Sequence, residues 1–132
     1  MNLNLMHERY SVCMLDPAGP IPDWLHGPGI LSSTYSESEL SIVCPQQLVP
    51  EGVQQEADWC ALQIEGPLAF DQVGILYALL GPLAKAQIPV FVLSTYLTDT
   101  LFVRANRFLE ASHALEEAGH NIQVEKLALG TS

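Results

Sequence analysis

The stretch IPVFVLSTYLTD, residues 88–99, holds the residues whose types could do chemistry: Ser94, Thr95, Tyr96 and Asp99. A serine nucleophile needs an adjacent base and donors for an oxyanion. The chain has no G-x-S-x-G, no histidine lies near Ser94 in sequence, and the tripeptide recurs at Ser33–Tyr35. That pattern argues against acyl transfer. Two readings remain for Ser94 and Thr95: strand-end residues that satisfy local backbone groups, or ligand contacts. Asp99 follows in a turn, where aspartate is common for its own reasons.

The other reactive groups are scattered. Cys13, Cys44 and Cys60 form no C-x-x-C pair and sit in apolar surroundings, which reads as buried reduced thiols. His113 and His120 stand seven apart, with no carboxylate–cysteine cluster beside them, so neither a metal nor a cofactor is expected.

At 132 residues and 48% hydrophobic, the chain can bury a sizeable core. No run approaches the roughly 18–20 apolar residues of a membrane span. The start, MNLNLMHERYSVC, lacks a basic segment followed by an apolar one, so a cytoplasmic location is expected. Five basic residues face fifteen acidic ones, a formal charge of -10. Nucleic acid and anionic membrane both need a clustered cationic surface, so neither is an expected partner. The acidic excess is spread out and reads as a solubility device.

The elements that must position these residues are written twice. A shift of 61 places Pro28 on Pro89, Ser33-Thr34-Tyr35 on Ser94-Thr95-Tyr96, Leu40 on Leu101 and Ile42 on Val103. Upstream, YSVCMLDP (10–17) matches CALQIEGP (60–67) with a shift of 50. The reading is an internal duplication with a length change in one element.

In the second copy, WCALQIEG alternates as a half-buried strand and Gly66-Pro67 ends it. Asp71 suits an N-cap, and Leu76, Leu79, Leu80 and Leu83 make a helical stripe. Pro82 should kink that helix or end its regular part. The strand VFVLSTY, a turn and the strand LFVRA follow; Asn106 caps a second helix that stops at Gly119, and NIQVEKLAL is a last strand. The order β-α-β-β-α-β is the ferredoxin-like arrangement. In the first copy, PDWLHG leaves room for a turn or two of helix, and PQQLVPEGV for a short one. The expected fold is α+β: two tandem repeats, 1–58 (degenerate) and 59–132, with adjacent antiparallel sheets. The strand near 59–65 is shared, or the C-terminal strand crosses back; the sequence leaves both open.

The stretch DQVGILYALLGPLAKAQIPVFVLSTYLTD resembles the ACT domain, a small regulatory module that binds amino acids, through Gly74, Ile88, Val90, Ser94 and Thr95. The resemblance spans residues 59–119, is weaker over 8–58, and extends to tandem-ACT proteins related to the aspartate kinase regulatory domain and the cytosolic arginine sensor family. It implies a non-enzymatic, amino-acid-binding regulatory protein, or else a ligand-free interaction module that uses the same surfaces for a protein target. It also implies ligand contacts from Asp71, Val73, Gly74, Ile75, Pro89, Val90, Thr95, Tyr96 and Asp99. Gly74 would allow backbone approach to a carboxylate, or serve close helix packing. Asp99 would meet an amino or guanidinium group, and Tyr96 would cover the ligand or join the core. The helix GILYALLGPLA is apolar almost all round, which suits burial by a second subunit, so a homodimer is expected. By resemblance its ligand lies between second repeats, with Pro89 and Val90 of one subunit facing Gly74, Tyr96 and Asp99 of the other. Pro89 departs from the pattern, since proline offers no N–H.

Overall fold

The computed structural model describes residues 1–69 and 71–124. The chain is α+β and divides into two compact units, Glu8–Trp59 and a second made of Met1–His7 with the chain from Cys60 onward. Strands β1 (Asn2–Leu15) and β4 (Gln54–Ile64) each run through both.

In the Glu8–Trp59 unit, β1 pairs antiparallel with β3 (Leu40–Pro45), and β3 with β2 (Ser32–Tyr35). Cys13, Leu40, Ile42 and Cys44 form its core, with Trp24 and Leu31 packed against them. The register sets Ser11 opposite Cys44 and Cys13 opposite Ile42, so all four share the buried face. A hydrogen bond between the two thiols draws Cys13 down to about 7 and pushes Cys44 up. Residues 16–31 form no helix, so the short helix expected in PDWLHG is absent. Its backbone is seated instead by Tyr10, whose Oη accepts the Ile30 N–H at 2.9 Å. Gly29, at φ +98, makes this approach feasible, because a Cβ there would lie 3.0 Å from Tyr10 Oη and 2.9 Å from Pro45 Cγ. A 3-10 turn, Gln46–Leu48, stands for the second helix.

In the other unit the strand order is β7–β1–β4–β6–β5, with β5 (Val90–Ser94) at the edge, β6 (Asp99–Arg104) beside it and β7 (Asn121–Val124) parallel to residues 2–5 of β1. The C-terminal strand therefore meets the chain's first residues. Residues 125–129, the rest of the expected last strand, lie outside the described residues. Helices α1 (Ile75–Lys85) and α2 (Phe108–Glu117) bury Leu79, Leu83, Ala111 and Leu115 against Leu3, Leu62, Ile64, Leu101 and Val103. At about 1.5–3 kcal/mol for each fully buried aliphatic side chain, this cluster is the main stabiliser of the unit.

Both expected caps need correction. The N-cap of α1 is Gly74 rather than Asp71, at φ 81 and ψ 1, a left-handed backbone only glycine adopts freely. The N-cap of α2 is Arg107, because a 3-10 turn over Ala105–Arg107 takes up Asn106. Helix α1 also continues through Pro82 to Lys85 rather than ending there. The carbonyl that proline leaves without a partner, that of Ala78, meets His120 Nε2 at 3.1 Å.

The two S-T-Y tripeptides fall at different places in their hairpins. Tyr35 pairs with Leu40 inside β2–β3, whereas β5 stops at Ser94, paired with Asp99, and leaves Thr95 and Tyr96 in the turn.

Candidate functional site

A cleft of about 410 Å³ opens where the start of α1 faces the β5–β6 turn. One wall is the helix start. Gly74 turns the chain, and the Ala78 N–H is the first to find a helical acceptor, the Gly74 carbonyl at 3.0 Å. The amides of Ile75, Leu76 and Tyr77 come before it and have no acceptor within the helix, so they concentrate the positive end of its dipole at the cleft.

The facing wall is Ser94–Asp99. Its turn is closed by the Thr95 N–H and Thr95 Oγ1, which both donate to the Thr98 carbonyl at 3.0 and 3.1 Å. Thr98 Oγ1 in turn donates to the Ile64 carbonyl at 2.7 Å, and the Leu68 N–H to the Leu97 carbonyl at 2.8 Å. These bonds fix the turn to the end of β4. Gly66 is what lets them form: a Cβ there would stand 3.1 Å from Thr98 Cβ and 3.2 Å from the Leu97 carbonyl oxygen. Gln72 adds a floor contact, its Oε1 accepting the Ala69 N–H at 2.8 Å.

The half-buried carboxylate of Asp99 faces this cleft and makes no hydrogen bond or ion pair among the described residues. An anion therefore stands across from a helix start rich in free donors. Such a pair of walls can hold a small zwitterion, carboxylate toward the amides and cation toward Asp99.

Of the residues singled out from the sequence, Gly74, Ile75, Thr95, Tyr96 and Asp99 line this cleft together. Asp71 and Val73 lie exposed in the loop that leads to it, and Pro89 and Val90 stand at the other end of β5. Sequence reasoning missed Leu68, Ala69, Gln72, Leu76, Tyr77, Leu97 and Thr98 as lining residues. Tyr77 was detectable, since it falls outside the apolar stripe of α1; the loop residues carried no periodic signal. Around the mouth, Val73, Tyr77, Tyr96 and Leu97 are 94%, 82%, 78% and 61% exposed, an apolar rim on a small cleft. Among the described residues no group of three or more histidine, cysteine or acidic side chains could hold a metal ion, and no helix is long and apolar enough to cross a membrane.

Residues 54–117, which carry the helix start and the facing hairpin turn, match the ACT domain family. Residues 8–52 match a separate family of N-terminal domains. Over almost its whole length the chain is 34% identical to the crystal structure of protein Atu0741 from Agobacterium tumefaciens, with a TM-score of 0.88 over 96% of this chain and 94% of that one. It belongs to the same protein family as Atu0741.

More distant structures share the fold. A Vibrio cholerae protein of unknown function is 23% identical, with a TM-score of 0.72 over 89% of this chain and 88% of that one. The ligand-free regulatory subunit of aspartate kinase from Thermus thermophilus is 10% identical, with a TM-score of 0.54 over 85% of this chain and 93% of that one. No curated protein matches the sequence.

Proposed function

We propose that this chain is a non-enzymatic regulatory protein that binds a small molecule, an amino acid, in the cleft between the start of α1 and the β5–β6 turn. The observation that carries the reading is the pairing of walls: free helix-start amides on one side, the unpaired Asp99 carboxylate on the other. The ACT match over residues 54–117 and the likeness to aspartate kinase regulatory subunits support it. On this reading Gly74 and Ile75 present backbone to the carboxylate, and Asp99 holds the ammonium. Thr95 and Tyr96 close the side, and Asp71 and Val73 shape the approach. The exposed rim suits a homodimer in which Pro89 and Val90 of a partner subunit cover the mouth. The repeat read across residues 1–58 and 59–132 makes the chain a tandem of ACT repeats, working in the cytoplasm without a cofactor.

One observation favours a second reading, a ligand-free module that docks a protein target: the same four apolar side chains, exposed together at the cleft mouth, are what a partner surface would cover.

A thermal-shift screen of the twenty amino acids separates the two. A ligand at a hundred times its dissociation constant adds about 2.7 kcal/mol of stability. A distinct rise with one or a few amino acids is the expected result. A flat screen at millimolar concentration would remove the ligand-binding reading and leave the docking module.

A further inference from the structure

A second groove, of about 660 Å³, runs along the surface between α1 and α2 and shares Tyr77 with the cleft. Its floor is made of small residues, Ala78, Gly81 and Ala114 among them, which allow another backbone to come close. Its ends differ in character. The chain following α2 reaches the first turn of α1, where His120 meets the Ala78 carbonyl, so the two helices run in opposite directions along the groove. The end marked by Tyr77 therefore also holds Glu117, near the close of α2. The other end holds Lys85, in the last turn of α1. Tyr77 and Lys85 are eight residues apart on one helix, about 12 Å at 1.5 Å per residue.

We infer that this groove is a contact between two copies of the chain, arranged about a two-fold axis that crosses the helices. Such an axis reverses the ends, so each copy brings its Lys85 to the Tyr77–Glu117 end of the other. There the ammonium meets a carboxylate and the face of an aromatic ring that is 82% exposed. Lys85 makes no ion pair among the described residues, so it is available for this role. Glu117 is 3.4 Å from His113 Nε2, an exposed contact that a lysine can replace. The occupant is a second copy because the groove is self-complementary: it carries one charge of each sign, at opposite ends, and a two-fold axis pairs both at once. This contact meets the cleft at Tyr77, which lines both, but uses neither Pro89 nor Val90, and it rests on the proposed self-association but not on any ligand.

The test is the mass of the full chain in solution, by light scattering after gel filtration, for the wild type, Lys85→Glu, Glu117→Lys and the double variant. Each single variant places like charges at both ends of the contact, and the assembly mass should fall by half. The double variant restores opposite charges and should restore the mass. Both sites are exposed, so unchanged circular dichroism and unfolding midpoints will exclude misfolding. A monomeric wild type would overturn the inference together with the proposed self-association. An assembled wild type whose mass survives both single changes, or a double variant that stays small, would overturn this contact alone.

Discussion

His120 Nε2 lies 3.1 Å from the carbonyl oxygen of Ala78, the group that Pro82 deprives of its helical donor. A carbonyl only accepts, so Nε2 carries the proton and donates. The imidazole thus stands in for the backbone N–H that a proline in mid-helix cannot supply. Replacing it leaves a partly buried acceptor unpaired. His120→Ala should therefore lower stability in urea unfolding by about 1 kcal/mol. In a Pro82→Ala background residue 82 regains an N–H for Ala78, and the same change should cost about 0.5–1 kcal/mol less. The double-mutant cycle reads that difference directly. It cancels whatever His120 contributes through its Nδ1 contact with the Met1 amino group. Equal losses in both backgrounds would show that the carbonyl does not need the imidazole.

Gly74 tests the cleft's backbone. At φ 81 a Cβ would meet nothing within 4 Å, so substitution brings strain from the backbone alone. Gly74→Ala should cost about 1–2 kcal/mol. Gly74→Asn should cost less, because asparagine tolerates the left-handed region. Equal losses for the two variants would point to a cause other than backbone conformation.

Asp99→Ala addresses the ligand. If an amino acid raises the unfolding temperature of the wild type, this variant should lose most of the rise while the assembly mass stays unchanged. Binding that persists at wild-type strength, measured by calorimetry, would place the site elsewhere.

Arg107 and Glu110 give a pH dependence of definite sign. The hydrogen bond from Arg107, at 2.7 Å, holds the Glu110 carboxyl below the usual carboxylate range. A carboxyl with a lowered folded-state value contributes stability that is complete above its unfolded value and lost as pH falls through the folded one. The melting temperature of the wild type should therefore exceed that of Glu110→Gln at neutral pH. The gap should close in acid. Glu110 is exposed and Arg107 partly so, and the gap should also narrow with added salt. A gap that widened on acidification would contradict the pairing.

Much of the second unit was legible in the sequence because its periodicities are strong. The stripe Leu76-Leu79-Leu80-Leu83 marked α1, the run before Ser94 marked a strand, and Gly66-Pro67 marked the end of β4. The caps were misread for one reason. A favourable side chain, Asp71 or Asn106, was weighed above backbone conformation, and the helix starts follow a left-handed glycine in one case and a 3-10 turn in the other. The repeat located both hairpins, yet it could not show that the tripeptide sits two residues later in the second, since the turns at 36–39 and 95–98 are equally long and identical letters need not mark equivalent positions. Five of the nine expected site residues gather in the cleft because they lie on the two segments that wall it. The bonds that hold those walls, Thr98 to Ile64 and Leu68 to Leu97, join segments about thirty residues apart, and no local pattern announces them.

The parallel pairing of residues 2–5 with residues 121–124 fixes an order of events during translation. Residues 2–5 must wait until residues 121–124 have been made before their strand gains that neighbour, while residues 8–59 are already complete as a segment. Long-range closure of this kind slows folding. The Glu8–Trp59 unit should therefore gain protection while later residues are still being made, and the unit that carries the cleft should gain it only after residue 124 has been added.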